Sequence, residues 1–218
     1  MFGIILPVLL ASTPAMAEKF EVSVTTHMQG IRDPRWEKVS ARRLHSATGL
    51  TVGYSISDTT SIIVGFNTGK AGSRLLIPTE NGDVSDDFGF NIATTLTQYQ
   101  LGARYRWKWK RRWVPTTTVQ FQLGHAVLRM DENIDHDGSE VASRYSATAF
   151  GFEFGGGMEY TVAFLSEDAV RINVGLEAGY TNLFKLRFKD NQSGPDPISI
   201  GELNTGGPYV TLSLGSRF

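Results

Sequence analysis

Val170-Arg-Ile-Asn-Val-Gly-Leu-Glu-Ala-Gly-Tyr-Thr181 is the stretch whose reading decides the fold. Val170, Ile172, Val174, Leu176, Ala178 and Tyr180 share one parity, and Arg171, Asn173, Gly175, Glu177, Gly179 and Thr181 share the other. Successive side chains of a β-strand point to opposite faces, so this segment predicts a strand with one apolar and one polar face. A helical period would mix the two sets.

Outward from that stretch the same alternation recurs, giving segments at residues 20–28, 44–57, 60–68, 96–107, 116–128, 146–162, 170–188 and 209–218. The connections alternate in length as well. Residues 58–59, 108–115 and 163–169 are short links, whereas 29–43, 69–95, 129–145 and 189–208 are long and polar. Eight alternating segments can close on themselves without leaving an unpaired edge. Short turns at one end and long loops at the other are the pattern of barrels in an outer membrane. The predicted class is therefore all-β, an eight-stranded antiparallel up-and-down transmembrane β-barrel spanning residues 18–218.

The apolar parity could line a soluble carrier or face acyl chains. Two features favour the membrane. The polar parity carries glycines together with charges of both signs, Glu21, Arg104, Arg106, Glu153, Glu159, Arg171 and Glu177, which suits a narrow polar lumen. Tyr105, Trp107, Trp109 and Trp113 gather at the short-turn end, where amphipathic rings prefer the membrane–water boundary.

Composition narrows the function. With 21 Lys+Arg against 22 Asp+Glu the chain lacks the cationic excess a nucleic-acid binder needs. With no Cys there is no disulfide, thiolate nucleophile or Cys-ligated zinc. Residues 1–17 combine an apolar core with the small-x-small triplet Ala15-Met16-Ala17 and read as a secretory signal peptide, although they hold no Lys or Arg, which leaves open a start upstream of Met1. The expected destination is the outer membrane of a Gram-negative cell.

The last eleven residues, Pro208-Tyr-Val-Thr-Leu-Ser-Leu-Gly-Ser-Arg-Phe218, end in Phe with apolar residues at every second position before it, Ser216 excepted. In this the chain resembles the small eight-stranded outer-membrane barrels of the OmpX and OmpA transmembrane-domain type. The resemblance implies that Val210, Leu212, Leu214 and Phe218 form the signal read by the barrel-assembly machinery.

An interior of this size is filled by side chains by default. The inward charges are expected to form a structural network, since buried charges must be paired; the alternative is a narrow porin-like path for ions or small solutes. Glycines among them are expected to make room for the arginines. Some barrels of this size modify lipid A, and the deacylase of that class carries a lipid-facing His-x-Ser. Here His125 is followed by Ala126 and Val127, and no catalytic residue is assigned. His27 and His45 are expected inside near the long loops, in reach of each other or Thr25. Asn133, Asp135 and Asp137, with Gly138, space oxygen ligands like the start of a Ca2+ loop, but Arg144 fills the position of the closing acid. Arg32, Arg35, Lys38, Arg42 and Arg43 make the first long loop basic, a candidate contact for lipopolysaccharide phosphates. The expected protein is a monomer in outer-membrane lipid, with a structural or surface-interaction role carried by its four long loops.

Overall fold

The computed structural model describes residues 19–38, 40, 42–78, 84–108, 112–134, 142–165, 170–190 and 199–218. The signal-peptide reading of residues 1–17, together with Asp135 and Asp137, lies outside the described residues. The strands are β1 (Phe20–Gly30), β2 (Leu44–Ser55), β3 (Thr60–Pro78), β4 (Val84–Arg106), β5 (Trp113–Ile134), β6 (Ala142–Leu165), β7 (Val170–Leu183), β8 (Leu186–Asp190), β9 (Ser199–Leu203) and β10 (Gly207–Arg217). β1 to β7 pair in sequence order, β10 lies between β7 and β1, and all these pairings are antiparallel, so eight strands close a barrel. Closure is completed by reciprocal bonds at the chain end, Phe20 N to Phe218 O at 2.8 Å and Phe218 N to Phe20 O at 2.9 Å.

The apolar parity points outward. Phe121 is 73% exposed and Phe150 70%, while Gln98, Gln122 and Glu153 on the opposite parity are buried in the lumen. A soluble carrier would have the faces reversed. At the short-turn end aromatic pairs frame the apolar belt: Phe20 with Tyr54 at 5.2 Å, Tyr105 with Trp107 at 4.9 Å, and Trp113 with Tyr160 at 4.5 Å between ring centroids.

Three expectations need correction. Residues 69–95 are not mainly loop: β3 runs on to Pro78 and β4 begins at Val84, and the pair stays in register from Gly69↔Leu96 to Leu76↔Gly89. Residues 129–145 likewise continue β5 to Ile134 and start β6 at Ala142. Above the membrane the outer face meets water instead of lipid while inward residues such as Ile92 and Met130 pack on an apolar core, so the outward-apolar parity ends while backbone pairing continues. The third correction concerns residues 170–188, which are not one strand. Phe184 and Lys185 interrupt it, and the interruption shifts the phase: Leu183 is buried, and so are Leu186 and Phe188. β8 then pairs with the upper part of β6 and with β9, extending the wall above β7 and β10.

That phase shift builds an apolar core inside the long-loop half of the barrel. Leu96, Leu128, Leu183, Leu186 and Phe188 belong to it, and Trp36, only 1% exposed, packs with them from the first connection.

Candidate functional site

The lumen is filled in three layers. At the short-turn end Glu21 on β1, Arg104 and Arg106 on β4 and Glu159 on β6 converge. Arg104 Nη1 lies 3.2 Å from Glu21 Oε1 and 3.3 Å from Glu159 Oε1. Arg106 donates from Nε to Glu159 Oε2 at 2.9 Å, from Nη2 to Glu21, and from Nη1 to Ser61 Oγ at 2.6 Å. Two acids and two bases balance, which is the condition under which buried charges are tolerated.

Glu153 and Glu177 stand higher and are held by neutral donors rather than by arginine. Glu153 accepts from Gln122 Nε2 at 2.6 Å and from Gln120 Nε2 at 3.4 Å. Glu177 accepts from the Tyr209 hydroxyl at 2.6 Å and from Thr118 Oγ1 at 2.7 Å. Arg171 sits opposite Arg217 in the β7–β10 register, near the short-turn end. The structure thus brings together four of the seven charges named from sequence and separates Glu153 and Glu177 from them. The glycines serve other neighbours than expected. A Cβ on Gly53 would run into the Glu21 side chain, and one on Gly155 into the Tyr209 hydroxyl. It is the carboxylate and the phenol that need the space.

Small cavities interrupt the packing among the described residues. One of about 30 Å³, room for about two waters, is lined by His27, Gln100, Glu153, Glu177 and Arg104 among others. A second, of about 20 Å³ at the short-turn end, is lined by Glu21, Arg106 and Asn173 among others. Arg104 and Glu159 border both.

The third layer is the first connection folded into the barrel mouth. Asp33 precedes Pro34, the first residue of a 3₁₀ turn (Pro34–Lys38), and its Oδ1 accepts the Arg35 backbone N–H at 3.0 Å. An Asp cap followed by Pro is a helix-start signal, and the Asp33-Pro34 pair could have revealed this turn from sequence. Arg35 Nη2 bonds Asp33 Oδ2 at 2.8 Å, and the same oxygen accepts Asn204 N at 2.9 Å. Arg32 N donates to Gly206 O at 3.2 Å, and Gln29 Nε2 donates to Thr205 O. The turn is therefore anchored to residues 204–206, where β9 gives way to β10, and Trp36 is set into the apolar core. The Arg35 guanidinium and the two backbone N–H donors hold the Asp33 carboxyl at about 2, below its ordinary 3.8.

The remaining candidates are placed as follows. His27 Nδ1 lies 2.9 Å from Thr211 Oγ1 and its ring stacks on Tyr209, while His45 meets Trp36 edge-on. Thr25 bonds Asn67 instead of either histidine. His125 faces outward and pairs with Thr148 Oγ1 at 3.1 Å. Val210, Leu212 and Leu214 face outward, and Phe218 closes the barrel seam. Asn133 lies in β5 with its backbone opposite Gly89. Of the basic first connection, Arg35 is bound to Asp33, Arg43 Nε lies 2.5 Å from Glu37, and Arg32 rests over the Tyr180 ring.

A family model described as outer membrane protein beta-barrel domain matches residues 3–206. Among solved structures, a major outer membrane protein from Thermus thermophilus is similar with a TM-score of 0.52 at 11% identity, covering 91% of this chain and 98% of that one. The attachment invasion locus protein Ail of Yersinia pestis gives 0.48 at 12% identity over 93% and 98% of the two chains. Neisserial surface protein A gives 0.43 at 16% identity over 91% and 95%. No curated protein sequence matches. Likeness at these identities is likeness of fold.

Proposed function

The chain belongs to the outer membrane protein beta-barrel domain family, which makes it an outer-membrane barrel, and we propose that it is a closed scaffold presenting its extended β3–β4 and β5–β6 hairpins and its β8–β9 extension as a surface-interaction platform. The observation that carries this reading is the three-layer filling of the lumen: the Glu21–Arg104–Arg106–Glu159 quartet, the Glu153 and Glu177 layer, and the Trp36 core. A barrel so filled spends its interior on rigidity and leaves recognition to the exposed hairpins. In this reading residues 1–17 direct export, Val210, Leu212, Leu214 and Phe218 are read by the assembly machinery, the barrel is a monomer, and the role is non-enzymatic.

Planar-bilayer recording of the refolded barrel tests it. Absence of steady conductance steps is the expected result; a stable ohmic pore in the unmodified protein would overturn it. A narrow ion path is the second reading, favoured by the two cavities that Arg104 and Glu159 share. It requires conductance that changes sign preference or size on Arg104→Gln or Glu177→Gln.

A further inference from the structure

Arg129 on β5 and Arg144 on β6 stand directly opposite each other in the strand register, both exposed. Like charges in direct cross-strand positions are destabilising unless something of opposite sign lies between them. Lys189 is brought alongside by β8, whose register sets it opposite Ser146, the outward residue two positions from Arg144. None of the three cations forms an ion pair with a described residue, whereas neighbouring Lys185 and Arg187 are occupied by Glu202 at 3.1 and 2.7 Å.

Position says what kind of anion belongs there. On β5 the outward residues run Phe121, Leu123, His125, Val127 and Arg129, so the arginine stands two residues, about 7 Å along the strand, beyond the last apolar side chain. At the edge of the belt a polar row crosses four strands in register: Thr68 bonds Thr97 at 3.1 Å, Thr97 faces His125, and His125 bonds Thr148 at 3.1 Å. Acyl chains against Phe121 and Phe150, hydroxyls against the Thr–His row and phosphate at the arginines describe one amphiphile.

We propose that the outer faces of β5, β6 and β8 form a binding site for a lipid with a phosphorylated saccharide headgroup, with Arg129, Arg144 and Lys189 holding its phosphate. The site rests on the membrane reading of the barrel but not on its closed lumen. Phosphate between the two guanidiniums would accept charge-assisted hydrogen bonds from both, and each cation near an anionic membrane surface adds to the attraction.

The test uses the whole refolded barrel and phosphatidylcholine vesicles doped either with bis-phosphorylated lipid A or with the same lipid stripped of phosphate. Wild-type protein is expected to favour the phosphorylated lipid about tenfold or more, and Arg129→Gln/Arg144→Gln to lose that preference while keeping its heat-dependent gel shift. Arg129→Lys/Arg144→Lys should recover part of it. Equal affinity for the two lipids, or a preference unchanged in the Gln variant, would overturn the proposal. So would complete competition by inorganic phosphate, which would assign the site to the free ion. Loss of the gel shift in wild-type protein would instead strike at the barrel itself.

Discussion

Replacing Glu159 with Gln probes whether the short-turn quartet is a sealed ionic cluster. Glu159 receives Arg106 Nε at 2.9 Å and Arg104 Nη1 at 3.3 Å, and Glu21 is the other acid within reach of both guanidiniums. The variant leaves two cations on one carboxylate. Removing one partner of a buried ion pair costs about 3–5 kcal/mol, because the other charge stays buried and uncompensated. The Arg104 and Glu159 side chains keep 14% and 16% exposure, and a water-sized cavity borders them, so partial screening places the expected loss near the lower bound, about 3 kcal/mol. Adding Arg104→Gln restores neutrality, with the Arg106–Glu21 pair intact. The double variant should therefore be more stable than the sum of the single effects predicts, by about 1–3 kcal/mol. Urea unfolding of the barrel in lipid vesicles, followed by gel mobility without boiling, gives all four corners of the cycle. A loss below about 1 kcal/mol for Glu159→Gln, with additive singles, is the behaviour of exposed pairs and would refute the sealed cluster.

The first connection should undock in acid. Asp33 titrates lower when docked, at about 2 against 3.8, so its contribution is complete above the higher value and fades as pH falls from about 4 towards 2; fluorescence of a barrel retaining only Trp36 should show that step, and Asp33→Asn should abolish it. Trp36→Ala removes a buried indole from the apolar core, a truncation worth about 3–5 kcal/mol at full burial. Protease should then cut within residues 31–43 while the heat-dependent gel shift of the barrel persists, and continued protection would count against docking. Gly53→Ala places a Cβ against the Glu21 side chain, and overpacking of that kind costs about 1–3 kcal/mol. An unchanged urea midpoint would mean that Glu21 has room to move and that the quartet is loose.

What could be read from sequence was whatever the membrane imposes. Lipid demands apolar side chains on one parity of every spanning strand, so Val174, Leu176, Val210 and Leu212 carry a signal strong enough to fix strand count, closure and the inward set of charges. Beyond the belt that demand ends. The upper parts of β3 and β4 keep their backbone ladder with no run of large apolar residues on the outward parity, and from sequence they read as loop. The candidate site divides along the same line. Glu21, Arg104, Arg106 and Glu159 could be placed inside by parity alone, but which acid meets which arginine depends on the stagger between strands far apart in the chain, such as β1 and β6, and parity does not contain it.

The most consequential thing parity missed is the two-residue interruption at Phe184–Lys185, because it turns a polar lumen into an apolar one. Had the phase of β7 continued, Lys185 and Arg187 would have pointed inward, adding two cations to the upper lumen. Instead Leu186 and Phe188 enter the core, while Lys185 and Arg187 move outside to Glu202. A lumen lined with Leu96, Leu128, Leu186 and Phe188 must then exclude water or be covered, and Trp36 on its capped turn supplies the cover. The seal at the mouth and the charged rim outside it thus follow from one local choice of backbone phase. Deleting either residue of that pair leaves a single residue between Leu183 and Leu186, which plain alternation accommodates with both leucines inward and Arg187 outside, so the variant should keep Trp36 protected from protease along with the belt and the Glu159 quartet; exposure of Trp36 would mean that the pair does more than set the phase.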